Sequence, residues 1–459
     1  MSKRISVFYD DTDPLSGDHL GFQLHGDRAC VSVGNEFDQI ERLTGQLPPS
    51  VRDLVDIAAG TYVADLFNEP DSRMYREFRI TAKVRDIDVW KENNSTLNTA
   101  LSFLTRSPVH FDFVNGKNDQ VPAIEGQDDF RLKNVICFSG GLDSYLGVCK
   151  LKNEKDTALV SHYNHGSLSS LQRKVSSRIS RKIASKHFQI FVGQGKNERR
   201  RRDLGPQLNS LQSSRSFLFL ALAGAIAIKT GAKRISMFEN GPIALGIPYT
   251  PSRISTRTVH PVFLDFMERL LHKIPGGENI SIENPFQKKT KTDILLNQLE
   301  PVLRNVNATC SCSHMTRVNL MKSRLSNSEL RKGEYHHCGI CIPCINRRIS
   351  VLCAGKEKWD DQYLIDFLSE YPFNDLGSDS MSTEAMLNIQ DSIVFARHFR
   401  EDEASDVFER YPELFFESNR LSPNEALKLE QRWADQFLDT IQEHAGKRLK
   451  EDLSAPLEN

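Results

Sequence analysis

The segment from Val135 to Tyr145 constrains this chain more than any other part of its sequence. A short apolar strand pattern runs into Ser-Gly-Gly-x-Asp-Ser and then directly into a helical pattern. Gly140 and Gly141 allow a tight turn and let backbone N–H groups approach an oxyanion with no Cβ in the way. The following helix directs the positive end of its dipole at the same turn. The segment therefore predicts a cradle for a nucleotide phosphate.

Three side chains of this turn add further chemistry. Ser139 and Ser144 supply hydroxyl donors, and Asp143 introduces a negative charge. Because a carboxylate repels phosphate unless a cation intervenes, Asp143 either caps the helix or helps to hold Mg²⁺, and we expect both roles. A strand-to-helix turn needs glycines and a cap on structural grounds alone, but the complete string in this context favours a phosphate site. The sequence lacks a Gly-x₄-Gly-Lys-Ser/Thr loop, which favours adenylyl transfer over γ-phosphate hydrolysis.

Length and charge narrow the class of protein. A chain of 459 residues is expected to form roughly two or three domains, and a net charge of −1 gives no global field that would favour nucleic acid or an anionic membrane. The longest apolar run, Phe217 to Ile228, is too short to span a bilayer and predicts a buried helix. Met1 to Arg4 are not followed by a signal-peptide core, so we expect a cytoplasmic protein. The most basic run, Arg199 to Arg202, has two interpretations: a loop of solvated charges, or a contact with an anionic substrate. The first is at least as well supported by the sequence.

The pattern of elements divides the chain into three predicted regions. Residues 1–130 mix short strands with helix-like stretches and predict a separate α+β domain. Strand and helix alternate over residues 131–355, which predicts an α/β fold with a Rossmann-like, doubly wound parallel sheet. Ligands of such sheets bind at the carboxyl ends of the strands, where Ser139 is placed. Residues 356–459 are charged and helix-periodic and predict a C-terminal helical appendage.

The elements predicted in the middle region alternate regularly. The predicted strands are Val135 to Phe138, Ala158 to Tyr163, Phe188 to Val192, Arg234 to Phe238 and Asn279 to Ile282. The predicted helices are Asp143 to Lys152, Leu168 to Lys186, Arg215 to Thr230 and Val262 to Lys273.

A second motif, Cys338-Gly-Ile-Cys-Ile-Pro-Cys344, predicts a zinc site. Tetrahedral Zn²⁺ with Zn–S bonds of about 2.3 Å needs sulfurs roughly 3.8 Å apart, and a two-residue spacer in a tight turn supplies that separation. Five of the nine cysteines lie between Cys310 and Cys344, and without an export signal this favours a metal over disulfides. A site closed by four protein ligands has no position for water, so we expect it to be structural. Candidates for the fourth ligand are Cys310, Cys312, His314, His336 and His337.

The two motifs, in this order, resemble those of the QueC family of 7-cyano-7-deazaguanine synthases, which belong to the PP-loop ATP pyrophosphatases. The resemblance covers about residues 132–352 and includes a Ser311-Cys312 pair ahead of the cysteine motif. It therefore implies Cys312 as the fourth zinc ligand. Weaker matches are Tyr163 after the second strand, Arg215-Ser-Phe217 before the apolar helix, and Lys291-Thr-Asp-Ile294.

The resemblance implies an ATP-dependent ligase that uses ATP, Mg²⁺ and Zn²⁺. Such an enzyme adenylylates a carboxylate, in this family 7-carboxy-7-deazaguanine, with release of pyrophosphate, and an amine then displaces AMP. The residues implied as catalytic are Asp143, which would hold Mg²⁺, and Lys291, which would stabilise phosphate charge. The implied nucleotide-binding residues are Ser139, Gly140, Gly141, Leu142, Ser144 and Tyr163. The implied zinc ligands are Cys312, Cys338, Cys341 and Cys344.

The sequence also departs from the family pattern. The stretch from Gly246 to Arg253 keeps a glycine, a proline and an arginine of a family segment but loses its acid, and His165 stands in place of a glutamine. Together with the terminal extensions, this resembles the QueC-like proteins of bacterial anti-phage defence operons, which suggests a partner-protein amine as acceptor. An RNA-modifying PP-loop enzyme and a non-catalytic nucleotide-binding scaffold are the alternatives.

Overall fold

A computed structural model gives the three-dimensional structure of the protein. The residues that it describes are 4–8, 19–23, 31–33, 46–68, 76–116, 131–151, 156–181, 186–194, 212–250, 253, 255–315, 317–325, 332, 335–371 and 379–453. The predicted basic run Arg199 to Arg202 lies outside these residues.

The described strands form two sheets. In chain order the strands are β1 (Arg4–Phe8), β2 (His19–Gln23), β3 (Val31–Val33), β4 (Phe78–Val84), β5 (Val109–Asn115), β6 (Asn134–Cys137), β7 (Thr157–Tyr163), β8 (His187–Gln194), β9 (Arg234–Ser236) and β10 (Ser281–Glu283). One sheet has the order β2-β1-β4-β5, and the other has the order β10-β9-β6-β7-β8-β3.

The described residues also form α-helices between and after these strands in the chain. In chain order they are α1 (Pro49–Phe67), α2 (Ile87–Thr105), α3 (Leu142–Leu151), α4 (Gly166–Ile179), α5 (Arg215–Thr230), α6 (Gly241–Leu245), α7 (Pro261–His272), α8 (Lys291–Leu296), α9 (Glu300–Leu303), α10 (Val318–Arg324), α11 (Ile342–Cys353), α12 (Phe367–Glu370), α13 (Asp379–Glu401), α14 (Ala404–Arg410), α15 (Pro423–His444) and α16 (Lys447–Leu453).

The larger sheet confirms the predicted α/β class. Its strands β6 to β10 are parallel, and β3 adds an antiparallel edge beside β8. The chain places β7 and β8 on one side of β6 and β9 and β10 on the other, so the strand order reverses between β6 and β9. A reversal of this kind is the topological switch point at which doubly wound sheets bind ligands.

The local sequence explains the elements of this sheet. All four residues of β6 are buried, as expected for a parallel strand covered on both faces. Helix α5 is apolar on all sides and packs on β6, β7 and β9. It ends at Gly231, whose left-handed φ of 73° lets its N–H reach the carbonyls of Ala227 and Ile228. The five strands and three of the four helices predicted over residues 131–355 are confirmed to within a few residues in the described part of the chain. The helix predicted from Leu168 to Lys186 is present but ends at Ile179, because Ser180 has an extended backbone conformation.

The first 130 residues differ from the predicted α+β arrangement. All strand pairs of the smaller sheet are parallel, and α2 connects β4 to β5. This is an α/β arrangement, because parallel neighbours need a crossover connection. Periodicity reveals where a strand lies but not the direction in which it pairs, which is why the sequence did not separate the two arrangements.

Contacts between residues divide the chain into two compact units. The first unit comprises Met1–Ser139, Leu151–Met237 and Thr256–Pro285 and contains both sheets. The second comprises Gly140–Lys150, Phe238–Ser255 and Phe286–Asn459 and contains helices without a sheet among its described residues. The predicted domain boundaries at 130 and 355 rest on sequence pattern and stay a prediction.

The second unit has one hydrophobic core that includes the predicted appendage. Ile345 of α11 belongs to the same buried cluster as Phe395 of α13 and Trp433 of α15. Helix α15 begins at a capping box formed by Ser422 and Glu425, as its sequence suggests. The C-terminal region is helical as predicted, but it is not an appendage, because its apolar faces are buried against α11.

The apolar run predicted to be a buried helix forms most of α5. Within the described residues, no helix combines the length and the apolar character needed to cross a bilayer.

Candidate functional site

The predicted phosphate loop joins β6 to α3. Gly140 has a φ of 83°, a left-handed conformation that glycine adopts without strain. Its carbonyl accepts a hydrogen bond from the N–H of Cys310 at 3.3 Å. The carbonyl of Gly141 accepts from the Ser144 hydroxyl and from the Tyr145 N–H, both at 3.0 Å. These hydrogen bonds define the shape of the loop and connect it to the segment that contains Cys312.

Asp143 is the centre of a polar cluster of three buried residues and the half-buried Glu239, which we call the Asp143 cluster: Asp143, Glu239, Asn240 and Lys291. The Nζ of Lys291 lies 2.5 Å from Oδ1 of Asp143, and both residues are 5% exposed. Asn240 donates to Oδ2 from its backbone N–H at 3.1 Å and from Nδ2 at 2.7 Å. The carboxylate thus binds groups from two distant segments instead of capping α3.

Local structure places each member of the cluster at the end of an element. Glu239 and Asn240 follow β9, and the Oδ1 of Asn240 caps α6 by accepting from the N–H of Ile243. Lys291 is the first residue of α8, whose start is fixed by a capping box between Thr290 and Asp293. In the chain, Asp143 lies in the helix after β6, and Glu239 and Asn240 come after β9; the strand order of the larger sheet reverses between these two strands.

The two carboxyl groups of the cluster ionise differently. Burial opposes ionisation of Asp143, but the charge of Lys291 and hydrogen bonds lower its pKa to about 2. Desolvation, followed by the neighbouring Asp143 carboxylate, raises the pKa of Glu239 well above its usual value. The two neighbouring carboxyl groups therefore differ in proton affinity, and Glu239 holds a proton more tightly than Asp143. A divalent cation would allow both acids to ionise, so these residues fit Mg²⁺, with Asp143 and Glu239 as its oxygen ligands.

Four cysteines form a second cluster, the cysteine cluster: Cys312, Cys338, Cys341 and Cys344. Their sulfurs all lie within 4.8 Å of one another, and the Sγ atoms of Cys338 and Cys344 are 3.9 Å apart. The sulfurs of Cys312 and Cys338 accept backbone N–H groups, which stabilises thiolate charge. Gly339 has a φ of 87°, and an added Cβ would lie 1.7 Å from the carbonyl oxygen of Ile365. The turn therefore depends on glycine at this position.

The donor set of the cysteine cluster fits a tetrahedral metal ion. Hydrogen bonds from Cys338 and the other two thiols strongly lower the pKa of Cys312, whereas the bond with Cys312 strongly raises the pKa of Cys338. Without a cation the thiols therefore share negative charge instead of all ionising. Four sulfurs at these separations match the spacing of roughly 3.8 Å that Zn²⁺ requires. The metal would be held by the four cysteines as a closed, structural site.

The competing fourth ligands have other partners. The Sγ of Cys310 donates to the carbonyl of His336, and burial raises the pKa of Cys310 to about 12. A ring nitrogen of His337 accepts the N–H of Ser311 at 3.2 Å, and His336 lies 2.7 Å from Asp361. These residues surround the cysteine cluster without belonging to it.

Arg347 of α11, the helix that contains Cys344, links this helix to the segment just ahead of Cys312. Its guanidinium is fully buried and donates to Asp360 from Nε and Nη2. It also donates to the carbonyls of Val306 and Thr309, just ahead of Cys312. Sequence reasoning missed this residue, since an arginine beside another arginine in a polar helix gives no signal of burial.

For Glu239 and Asn240 the sequence predicted only a position suited to substrate contact, and no place beside Asp143. The sequence signal for them was their position directly after a predicted strand, but Asn-Gly is also ordinary turn chemistry.

Tyr163, predicted near the nucleotide, ends β7 in the first unit and contacts Phe191 edge to face at 5.6 Å. In the altered family segment, Arg253 binds Asp391 and Asn388 of α13.

Comparison of the chain with protein-family models, with curated proteins and with solved structures gives no match. The resemblance to QueC and the roles that it implies therefore stay predictions.

Proposed function

We propose that this protein is an ATP-dependent ligase that adenylylates a carboxylate and transfers the acyl group to an amine. The observation that carries the proposal is the Asp143 cluster, in which a glycine loop, two carboxyl groups and a lysine come together after the two strands that flank the switch point. Paired carboxyls with unequal pKa values in one cluster are typical of functional sites.

The loop and Lys291 suit the binding of a nucleotide polyphosphate. Gly140 and Gly141 have no Cβ to obstruct phosphate oxygens, and Ser144 lies in the first turn of α3, at the positive end of that helix. The side chain of Lys291 is held in place by its direct contact with Asp143. It would stabilise the charge that develops as pyrophosphate leaves.

Asp143 and Glu239 would hold Mg²⁺, which supplies charge neutralisation between phosphate oxygens when it is bound. Asn240 orients Asp143 through two hydrogen bonds, so the carboxylate does not need to reorganise on ligand binding. This position of Asn240 assigns it an orienting role instead of a direct role in the reaction.

The proposed reaction has two steps. A carboxylate oxygen forms a bond to the α-phosphorus of ATP, and the bond from that phosphorus to pyrophosphate breaks. An amine then attacks the mixed anhydride, loses a proton, and AMP leaves. We propose 7-carboxy-7-deazaguanine as the acid and ammonia or a partner-protein amine from a defence operon as the acceptor.

The cysteine cluster would stabilise the position of the phosphate loop. The N–H of Cys310 binds the carbonyl of Gly140, and Cys312 is only two residues further along the chain. A zinc ion at the four thiols would fix the segment 310–312 and, through it, one side of the phosphate loop.

The decisive experiment is to incubate the protein with ATP, Mg²⁺ and 7-carboxy-7-deazaguanine and to separate the nucleotides by chromatography. We expect AMP and pyrophosphate in equal amounts, formed only when the acid is present. Asp143→Asn should reduce the rate by about 10²-fold or more, since it removes a charge from the reacting site. Production of ADP, or of AMP without dependence on the acid, would contradict the proposal.

The matched control is Asp88→Asn, which changes an exposed aspartate in the first turn of α2. Its rate should equal that of the unaltered protein. A thermal melt of each variant separates loss of chemistry from loss of fold. If Asp143→Asn abolishes the reaction but leaves the biological effect of the protein intact, the scaffold alternative replaces the enzyme.

A further inference from the structure

The first unit contains a second group of buried and half-buried polar side chains, near the carboxyl end of β7 and the start of α5. The group consists of Tyr62, His162, His165, Arg215 and Ser216. None of them belongs to the Asp143 cluster or to the cysteine cluster, and the proposed reaction assigns them no role.

His162 carries a buried acceptor without a partner. Its Nε2 lies 2.9 Å from the carbonyl oxygen of Val192, which can only accept, so Nε2 holds the ring proton. Burial, with the charge of Arg215, lowers the pKa of His162 to about 3, so the ring is neutral and Nδ1 is a lone-pair acceptor. The residue is 1% exposed, and Nδ1 has no hydrogen-bond partner within the described part of the chain. A buried polar atom in this state calls for a ligand or a trapped molecule.

Arg215 is a cation at the start of a long helix. It is the first residue of α5, which has 16 residues, and its guanidinium lies over the ring of Phe219 at 5.5 Å. The ring of His162 also contacts Phe219, edge to face, at 6.0 Å. In the described residues the Nε of Arg215 is buried without a hydrogen-bond partner, and no carboxylate pairs with the guanidinium. The positive end of the helix and the charge of Arg215 therefore act at the same place.

Two further side chains can donate: Ser216 follows Arg215 in the first turn of α5, and His165 is near enough for the charge of Arg215 to lower its pKa. Ser216, in the first turn of α5, is 3% exposed, and its hydroxyl has no partner among the residues that the structure describes. His165 accepts the N–H of Leu168 at Nδ1, so in the neutral ring Nε2 carries a proton and can donate. The side chains thus provide several donors and one acceptor.

The start of α5 is held rigidly. Asp65 of α1 accepts from the hydroxyls of Ser213 and Ser214 and from the N–H of Ser214. The charge of Asp65 is already balanced by Arg76 at 2.6 Å. Tyr62, whose hydroxyl bonds Gln212 and Asn164, fixes the residues on either side. Asp65 therefore anchors the helix without neutralising Arg215.

We propose that Arg215, Ser216, His165 and His162 form a binding site for an oxyanion, a carboxylate or a phosphate, on a molecule that also presents a hydrogen-bond donor. Arg215 and the helix start bind the negative charge, Ser216 and His165 donate to it, and His162 accepts the ligand's own proton donor through Nδ1. The site is independent of ATP cleavage and is saturable by a ligand that never reacts.

The test is titration calorimetry on the full-length protein carrying Asp143→Asn, so that no reaction occurs. The probes are inorganic phosphate, AMP, 7-carboxy-7-deazaguanine and 7-deazaguanine, which lacks the carboxylate. We expect at least one oxyanion probe to bind and its affinity to fall about 10-fold or more in Arg215→Gln, since a charge-assisted contact is lost. A preference for 7-carboxy-7-deazaguanine over 7-deazaguanine identifies a carboxylate ligand, and binding of phosphate and AMP alone identifies a phosphate ligand.

Arg178→Ala, an exposed arginine on α4, is the matched control and should bind like the parent protein. Arg215→Lys keeps the charge and should retain most of the affinity. Arg215→Met, which also removes the charge, replaces Arg215→Gln if the latter does not fold. His162→Phe, which removes the acceptor, should weaken binding of a ligand with an N–H or O–H donor, whereas His162→Gln should weaken it less.

Two outcomes would overturn the inference. One is the absence of binding by every oxyanion probe, or equal affinities for the parent and Arg215→Gln. The other is a higher melting temperature for His162→Phe with unchanged binding of all probes, which would mean that Nδ1 meets only a trapped water. Neither outcome depends on whether the protein adenylylates an acid, so failure here and failure of the proposed function are distinguishable.

Discussion

The cysteine cluster and the Asp143 cluster are both polar sites of the second unit, but the chain builds them in different ways. Three of the four thiols come from the seven residues Cys338 to Cys344. In contrast, Asp143 meets Asn240 from 97 residues away and Lys291 from 148 residues away. The first cluster is a symmetric set of one ligand type, which suits a closed metal site. The second is an asymmetric set of acids, amide and cation, which suits chemistry.

The largest expected effect is loss of the metal ion from the cysteine cluster, which would distinguish this cluster from the Asp143 cluster. Cys341→Ser should remove zinc and unfold much of the second unit, because binding of a structural zinc ion supplies on the order of 10 kcal/mol of folding free energy. The measurements are elemental analysis of the purified protein and a thermal melt. Cys310→Ser is the matched control, since Cys310 lies outside the cluster. Equal metal loss in both variants would contradict the assigned ligand set.

The next prediction compares two buried acids: Asp143, which pairs with Lys291, and Glu430, which has no ion pair within the described residues. Glu430 of α15 is 1% exposed, and its Oε1 lacks a hydrogen-bond partner among the described residues. Burial raises its pKa to about 8. Between the unfolded pKa, about 4.3, and this value, the folded protein holds a proton that the unfolded chain has released. Stability should therefore fall as pH rises through that window, by about 5 kcal/mol at its upper end.

Glu430→Gln tests this expectation, because glutamine has a similar shape and does not ionise. Denaturant unfolding at pH 5 and at pH 8 should show a fall in unfolding free energy for the parent protein and a smaller fall for the variant. Equal pH dependence in both proteins would show that Glu430 has a partner in solution.

Lys291→Met should leave Asp143 as an unpaired buried charge. Loss of one partner of a buried ion pair costs about 3–5 kcal/mol, which denaturant unfolding at pH 7 would detect. Asp143→Asn combined with Lys291→Met should recover part of the loss, because the unpaired charge is then absent. Lys288→Met, at an ion pair with 58% of the lysine side chain exposed, should change stability by less than about 1 kcal/mol.

The same pair predicts acid sensitivity of the Asp143 cluster. The folded pKa of Asp143, about 2, lies below the unfolded value of 3.8. Its contribution is therefore complete above about pH 4 and is lost as pH falls toward 2, amounting to about 2 kcal/mol. Unfolding measured from pH 5 to pH 2 should show a weaker acid dependence in the double variant Asp143→Asn/Lys291→Met than in the parent.

The smallest effect concerns the phosphate loop. Gly140→Ala should cost about 1–2 kcal/mol, because alanine is strained at a left-handed φ. Gly355→Ala carries the same strain at a φ of 61° with open space around it, so its stability should change by a similar amount. Only the change at Gly140 should also slow ATP-dependent AMP formation. Equal rates in the two variants would separate the loop from the reaction.

Some of the fold could be predicted because the signals are local. The alternation of apolar strands and amphipathic helices between residues 131 and 355 predicted the α/β class and each main element, since periodicity depends on near neighbours. The spacing within Cys338 to Cys344 likewise predicted a group of thiols before any contact was known. Strand direction in the smaller sheet and burial of the C-terminal helices against α11 were not accessible, because both depend on partners distant in sequence.

By itself the sequence determined the glycine loop after β6, the group of cysteines and the α/β alternation, because each is encoded within a short stretch of chain. Tertiary structure alone decided that Glu239 and Asn240 join Asp143 and Lys291, and that Arg347 is buried between Asp360 and Thr309. The physical reason is burial. A carboxylate or guanidinium removed from water must find its partners wherever the folded chain brings them, whatever their separation in sequence.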